Sequence, residues 1–307
     1  MTTGAPARRV VSLVPSVTDT LVALGAGDSI VGISTDCDQP VPEAPVAVVT
    51  RPVVPASLAA SSPREADGMV RERLACGEAL YGVDLELLCS LRPDILFGQD
   101  SCRVCAVPAA GLGEVLRGRG LECEVVSVDP ERLEDVAESF ERVGAAIGRG
   151  EAGRLLAARF RGDLAELTGA GGFVPGGARR VLVLDWLDPP FVAGHWVPEL
   201  VESAGGVAVL GEAGKPSREV APSEVAEAGA EILVVAPCGL DLAQSCAAAA
   251  SPLVAASGAG RVLALDGRLF FSRPGPRLVE GARALAALLS AGGVPSGYER
   301  VACEVTA

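Results

Sequence analysis

The sequence predicts an α/β protein with two Rossmann-like lobes joined by a single long backbone helix. Short apolar runs rich in β-branched residues alternate with helical patterns, which is typical of βαβ units around a parallel sheet. The alternation starts again after a long helical stretch near the middle, and a length of 307 residues suits two modest domains. We therefore expect an N-terminal α/β lobe at 1–128, a connecting helix at 129–168 and a C-terminal α/β lobe at 169–307.

The first lobe is expected to hold strands where apolar residues run together, and helices where they recur every three or four positions. The predicted strands are Arg9–Val14, Ile30–Ser34, Asp94–Phe97 and Glu122–Val128, and the predicted helices lie near Val17–Leu24 and Leu85–Leu91. Ser16 followed by Asp19 resembles a capping box at the start of the first helix. Gly25 suits the end of that helix.

The connecting segment reads as one helix. Asp129 can cap a helix, and Pro130 suits its first position. From Glu131 to about Leu167 the apolar residues keep helical spacing, with only glycines as interruptions. Some 35 helical residues would span roughly 50 Å, a length that suits a strut between two lobes.

The second lobe repeats the βα pattern. The predicted strands are Arg180–Trp186, Val207–Leu210, Ile232–Ala236 and Arg261–Leu265, the last being the final strand of the chain, and the predicted helices lie near Val197–Ala204, Ser223–Ala228 and Arg277–Ala291.

Charge and hydropathy limit the classes of function and the cellular compartments that the sequence allows. The chain has 26 basic and 39 acidic side chains, a net charge of −13, and Lys215 is its one lysine. Such an acidic chain is a poor binder of nucleic-acid phosphates. The apolar run near the N-terminus is too short for a secretory signal, and no run reaches the length of a membrane helix. We expect a cytoplasmic protein without membrane insertion, or an extracytoplasmic one if the native start was trimmed.

Nine cysteines, an odd number, fit reduced thiols in the cytosol. Cys89, Cys123 and Cys246 have apolar neighbours and read as inert core thiols. Cys102 and Cys105 form a CxxC after a predicted strand, which fits metal ligands, a redox pair or structural thiols. Cys37 lies between two aspartates beyond another strand, which fits either a ligand site or an Asp- and Pro-rich turn.

A second candidate site surrounds His195, the only histidine. Trp186, Phe191 and Trp196 lie within ten residues of it, although aromatic residues are only 4% of the chain. Aromatic faces beside an imidazole suit a large planar ligand or a metal complex. Arg273, in an aromatic and proline-rich segment after the last predicted strand, suits an anionic or amide-bearing ligand. No signature of a known hydrolase, phosphate-binding loop or zinc protease is present.

Five sequence blocks carry a family resemblance, namely VSLVPS at 11–16 and the blocks at 71–107, 185–206, 234–239 and 270–281. Together they resemble class III (cluster A) substrate-binding proteins of ABC importers, specifically the subgroup of cobalamin-binding-like proteins. The resemblance covers nearly the whole chain. The sequence departs from the subgroup at Thr35, where relatives often have histidine, and at Gly98, where they tend to have threonine.

The resemblance implies a binding protein that holds a metal-containing or macrocyclic ligand, such as cobalamin or another corrinoid, in a cleft between two lobes. The implied ligand contacts are Ser12, Pro15, Ser16, Gln99, Trp186, Phe191, Trp196 and Arg273, with Cys37, Cys102, Cys105 and His195 as metal ligands.

The resemblance also implies a partner, an ABC permease that docks through Glu86. The corresponding second-lobe position falls near Ser223, one place before Glu224. The alternative function is a cytoplasmic metal-dependent enzyme of a biosynthetic pathway built on the same fold, with Cys and His holding iron or zinc.

Overall fold

The computed structural model of the protein describes residues 8–37, 46–100, 108–170, 177–291 and 293–305. The strands are β1 Val10–Ser12, β2 Ile30–Ile33, β3 Ala47–Val48, β4 Thr50–Pro52, β5 Tyr81–Val83, β6 Ile95–Gly98, β7 Glu124–Ser127, β8 Arg180–Leu187, β9 Pro190–Val192, β10 Val207–Ala208, β11 Arg218–Glu219, β12 Ile232–Val235, β13 Arg261–Leu265 and β14 Ala302–Val305. The helices are α1 Pro15–Ala23, α2 Ala56–Ser61, α3 Pro63–Ala75, α4 Leu85–Leu91, α5 Leu112–Gly118, α6 Leu133–Ala146, α7 Gly150–Ala170, α8 Val197–Ser203, α9 Pro222–Glu227, α10 Leu242–Ala248, α11 Pro252–Ala255, α12 Gly267–Phe270 and α13 Leu278–Ser290.

Internal contacts divide the chain into two compact units. The first unit comprises Met1–Pro55, Gly68–Asp129 and Glu138–Ala157. The second unit comprises Ala56–Asp67, Pro130–Ala137 and Ala158–Ala307. The α/β class expected from the sequence is confirmed.

The first unit is built on a five-stranded sheet in the order β3-β2-β1-β6-β7, with every pair parallel. Successive residues of β1 serve opposite faces, since Val10 packs in one apolar cluster with Leu21 and Phe97, and Val11 in another with Leu88 and Leu96. Both faces are therefore covered, as a parallel sheet requires.

The second unit has a mixed seven-stranded sheet in the order β11-β9-β8-β12-β13-β14, with β10 paired to the start of β8. The pairs of β8 with β12 and β12 with β13 are parallel, whereas β9, β11 and β14 pair antiparallel to their neighbours. The strand β14 corrects the expectation that Arg261–Leu265 is the last strand.

The expectation of a single connecting helix is also wrong, because the segment forms two helices, α6 and α7. They are separated at 147–149, where Gly148 has a φ of 74°. The two helices run back along each other, since a Cβ on Gly153 would lie only 2.6 Å from the Phe140 carbonyl oxygen. Farther along the pair, the Arg161 guanidinium donates to the Glu134 carboxylate, with Nε to Oε1 at 2.9 Å.

Two of the expected helix caps are wrong as well. Helix α1 starts at Pro15 after Val14, and no side chain caps it, so Ser16 and Asp19 form no capping box there. Asp129 accepts a hydrogen bond from the Asp100 amide at 2.6 Å, and Asp135 receives the amides of Glu131 and Arg132 ahead of α6. The expected end of α1 is confirmed, since Gly25 has a φ of 67°.

A disulfide joins Cys246 in α10 to Cys303 in β14, within the second unit. Cys246 is therefore not the inert core thiol that its apolar neighbours predicted. Cys76, Cys89 and Cys123 are free thiols in the part of the chain that the structure describes.

Candidate functional site

The first unit places the predicted residues Ser12, Cys37 and Gln99 at or beyond the ends of neighbouring parallel strands, on the side of the sheet where their carboxyl ends meet. A chain of short hydrogen bonds joins two of them. The Thr18 hydroxyl lies 3.1 Å from the Cys37 Sγ and donates to the Ser12 Oγ at 2.9 Å. Ser12 in turn donates to the Val14 carbonyl at 3.0 Å. Thr18, which the sequence did not single out, is thus the link between Ser12 and Cys37.

The remaining first-unit predictions fall on the start of α1 and on the loop after β6. Pro15 occupies the first position of α1, and Ser16 is buried in its first turn. Gln99 is half-buried directly after β6. Cys102 and Cys105 lie outside the described residues.

In the second unit, strands β8 and β9 form a hairpin that carries two of the predicted aromatic residues. Trp186 is paired directly opposite Phe191 across the two antiparallel strands, so the two side chains share one face of the sheet. Both are half-buried. The Trp186 indole donates to the Asp188 carbonyl at 3.2 Å, and the Arg64 Nε donates to the Asp188 carboxylate at 3.1 Å.

His195 follows β9 in a turn with left-handed backbone, at a φ of 50°. Its amide donates to the Lys215 carbonyl at 2.6 Å, and its carbonyl accepts from the Gly214 amide at 2.9 Å. A non-glycine residue in this conformation is uncommon, and such residues gather at functional sites. The preceding Gly194 is required for packing, because a Cβ there would lie 2.2 Å from the Lys215 oxygen.

The imidazole of His195 is half-buried and stacks on the ring of Trp196, with centroids 5.5 Å apart. Its Nδ1 is covered and has no hydrogen-bond partner in the described residues. Burial lowers the pKa of His195 below its ordinary value, and the carboxylate of Glu131 opposes that effect. The ring is therefore neutral at pH 7 and keeps a nitrogen lone pair.

Trp196 lies beneath the histidine. It is only 8% exposed, and its indole donates to the Phe271 carbonyl at 2.7 Å. This hydrogen bond fixes the indole in place, so the ring supports His195 from the protein side.

Asp185 is a half-buried acid with a covered carboxyl, and the sequence did not single it out. Leu184 pairs with Val192 and Trp186 with Phe191, so Asp185 is the extra residue of a β-bulge. Its Oδ2 accepts the Ser217 hydroxyl, and its Oδ1 is covered without a partner among the described residues. Burial raises the pKa of Asp185 to about 6, against the opposing effects of the Ser217 hydrogen bond and its own amide.

Arg273 is buried at 7% exposed in the turn after α12. Its charge is felt by Asp266, whose Oδ1 caps α12 by accepting the Leu269 amide at 2.8 Å. Burial raises the pKa of Asp266. The charges of Arg268 and Arg273 lower this pKa, and the charge of Asp241 raises it. The second unit therefore has a mixed-charge group at this turn.

Metal ligation by a cluster of side chains has no support in the described ranges. Within 8–37, 46–100, 108–170, 177–291 and 293–305, no three His, Cys, Asp or Glu residues come close enough to hold a metal ion. Cys37 lies in the first unit and His195 in the second.

Among known proteins, no family model and no curated protein matches the chain. Solved structures do match. A periplasmic heme-binding protein from Pseudomonas aeruginosa has a TM-score of 0.68 at 21% identity, over 98% of this chain and 99% of that one. The periplasmic vitamin B12 binding protein of Vibrio cholerae has a TM-score of 0.63 at 19% identity, over 92% and 97%. A periplasmic heme-binding protein in complex with two hemes has a TM-score of 0.64 at 24% identity, over 92% and 98%.

These likenesses extend over nearly the whole of each chain. They show that the protein has the α/β fold of class III periplasmic binding proteins, as the sequence resemblance implied. In the described part of the chain, no helix combines the length and the apolar character that crossing a bilayer demands.

Proposed function

We propose that the protein binds a metal-containing macrocycle, a corrinoid or a haem, and delivers it to an ABC importer. The similar solved structures include proteins that bind vitamin B12 and heme. Because a fold hosts many functions, the chemistry of the site decides the ligand class.

The observation that carries the proposal is the state of His195. It is the only histidine, it is neutral, and its Nδ1 has no partner among the described residues. A covered polar atom without a partner is costly, so it points to another state of the protein that supplies one. A metal complex bound at this turn supplies that partner once the ring rotates about its Cβ–Cγ bond, and imidazole is a good ligand for iron and cobalt.

Aromatic and basic side chains of the same unit suit the organic part of such a ligand. Trp186 and Phe191 present a shared aromatic face for a flat macrocycle, and Trp196 supports the imidazole from below. Arg273 adds a guanidinium for the carboxylate or amide groups at the rim of the macrocycle.

The test is a spectroscopic titration of the purified protein with hemin and, separately, with aquocobalamin. Binding with axial imidazole shifts the absorption bands of the metal complex. His195→Ala should abolish the imidazole signature, and Trp186→Ala should weaken binding while keeping that signature.

Leu155→Ala is the matched control, because Leu155 is a large apolar residue that is 65% exposed on α7. It should leave both readouts unchanged. If neither compound binds to the wild-type protein, the proposed ligand class is wrong. If binding with an unchanged imidazole signature persists in His195→Ala, the role of His195 is wrong.

Docking to a permease is part of the proposal. Glu86 is exposed in the first turn of α4, as a docking acid should be. Glu224 is engaged within its own helix start, because its carboxylate accepts the Ala221 amide at 2.8 Å and the Arg218 guanidinium at 3.1 Å. We therefore propose Glu86 as the principal acidic contact, with Glu86→Gln expected to weaken permease binding and leave ligand binding unchanged.

We also propose that the protein works outside the cytoplasm. The support is the disulfide between Cys246 and Cys303, since stable disulfides belong to oxidising compartments. Alkylation of the native protein followed by mass spectrometry tests this. Free Cys246 and Cys303 in protein isolated from its host would contradict it.

A further inference from the structure

The turn that carries His195 is tied to the β-bulge at Asp185 by two consecutive hydrogen bonds. The Gly194 amide donates to the Ser217 Oγ at 3.2 Å, and Ser217 donates its own proton to the Asp185 Oδ2. Gly194 is the residue directly before His195, so the connection holds the backbone one residue ahead of the histidine.

This connection is supplied by three separate segments of the second unit. Asp185 is the bulged residue of β8, Gly194 follows β9, and Ser217 precedes β11. A β-bulge redirects a side chain that would otherwise alternate with its neighbours. Here Trp186 keeps its place opposite Phe191, while the Asp185 carboxyl is left to meet Ser217.

The Asp185 carboxyl has little else to do in the fold. Its Oδ1 is covered without a partner among the described residues, and no charged side chain contributes to its pKa. Burial, the Ser217 hydroxyl and its own amide are the influences on it. Covering a carboxyl in this way costs stability, and Ser217 is its one side-chain partner among the described residues. This arrangement fits a role in positioning the Gly194 amide, which donates to Ser217.

We propose that Asp185, acting through Ser217 and the Gly194 amide, is a positioning residue that fixes the His195 imidazole for its ligand. The inference rests on the proposed function, in which His195 meets the metal of the ligand. It adds a residue that acts on His195 through Ser217 and Gly194 and not by direct contact.

The first measurement needs no ligand. Because the chain has a single histidine, the ring protons of His195 can be assigned without ambiguity in nuclear magnetic resonance spectra. Stacking on Trp196 shifts these signals away from those of a histidine in a flexible peptide. At one fixed pH, Ser217→Ala and Asp185→Ala should move them toward the flexible-peptide values.

Conservative variants separate positioning from general stability. Ser217→Thr keeps the hydroxyl and Asp185→Asn keeps an acceptor oxygen, so both should retain the wild-type signals. Ser203→Ala is the matched control, because Ser203 is also half-buried and donates one hydrogen bond, to the Glu199 carbonyl at 2.8 Å. It should not move the His195 signals.

The second measurement is the affinity for hemin. Loss of a residue that orients a metal-binding histidine typically weakens metal affinity by about 10- to 100-fold, and Ser217→Ala should fall in this range. Ser217→Thr should restore the affinity. Unchanged His195 signals in both Ser217→Ala and Asp185→Ala would overturn the inference. If the wild-type protein binds neither hemin nor aquocobalamin, the proposed function fails, and the ligand-free signals still decide whether Asp185 positions His195.

Discussion

The two units carry different side chains at the edge of the sheet where the carboxyl ends of the parallel strands lie. In the first unit the carboxyl ends of the strands are joined by neutral groups, in the order Cys37, Thr18 and Ser12, and the last donates to a backbone carbonyl. In the second unit the edge holds an acid with a raised pKa, Asp185, and a histidine with a lowered one. Hydrogen bonds satisfied within the fold stabilise it, whereas covered groups left without partners point to binding.

The two sheets also differ in strand direction. The first sheet is parallel throughout, and its strands follow from local βαβ units. The second sheet adds antiparallel strands beside β8 and β13, and the added hairpin of β8 and β9 creates the bulge and the aromatic pair. The candidate site thus depends on the part of the second unit that departs from the simple repeat.

The largest expected effect tests the covalent link in the second unit. Cys246→Ser opens a disulfide whose cysteines lie 57 residues apart. The chain-entropy model gives a loss of about 4 kcal/mol in the free energy of unfolding. Denaturant unfolding without reductant measures it, with Cys76→Ser, an exposed free thiol, as the control. Equal midpoints for the two variants would show that the link contributes nothing.

The next effect concerns the covered carboxyl of Asp185. The pKa of Asp185 is about 6 in the folded protein against an ordinary 3.8, so the folded state holds this proton more tightly than the unfolded state. Its contribution to stability is therefore full below pH 4 and is lost as the pH rises to about 6, by up to about 3 kcal/mol.

Unfolding of the wild type and Asp185→Asn, compared from pH 4 to pH 7.5, isolates that dependence. The stability of the wild type relative to the variant should fall as the pH rises. Asp28→Asn, at an exposed position, is the control. A constant difference across this range would show that Asp185 has an ordinary pKa.

A smaller effect is expected at the His195 turn. Gly194→Ala would force a Cβ to within 2.2 Å of the Lys215 oxygen, so the free energy of unfolding should fall by about 2 kcal/mol and ligand binding should weaken. Gly162→Ala in α7 has open space around its Cβ, and it should stabilise the protein by up to about 1 kcal/mol. Thermal unfolding of both variants gives the sign of each change in stability. The same sign for both would contradict the close packing at Gly194.

The smallest effect tests the first unit. Thr18→Val removes the hydroxyl between Ser12 and Cys37 and should cost about 1 kcal/mol of stability. A double-mutant cycle with Ser12→Ala measures the coupling, which should be non-additive. Thr168→Val, at a hydroxyl that bonds only within α7, is the control. Additive losses would show that Ser12 and Thr18 act separately.

The sequence predicted the buried strands well because their apolar runs are local signals. Strand β13 and helix α4 lie where they were expected, at Arg261–Leu265 and Leu85–Leu91. The helical spacing through Gly148 stayed in phase across the break, so α6 and α7 read as one helix. The short strand β14 was missed because its four residues, Ala302–Val305, include Glu304 and form no continuous apolar run.

The candidate site was predictable in composition and not in arrangement. The aromatic residues and the lone histidine of one segment indicated a binding site, and the structure places Trp186 opposite Phe191 and His195 on Trp196. The role of Asp185 depends on a bulge, and the role of Ser217 depends on a contact 32 residues away. Neither leaves a local pattern. The metal roles of Cys37 and His195, and those of Cys102 and Cys105 outside the described residues, stay predictions.

The strand β14 also protects the second sheet from its neighbours in solution. It covers the hydrogen-bonding edge of β13, whose residues Val262–Leu265 are apolar and buried. An uncovered edge of this kind is a template for pairing with another chain. Reduction of the Cys246–Cys303 bond would leave that cover held by hydrogen bonds and packing alone. A reducing environment would thus make pairing of β13 with another chain easier.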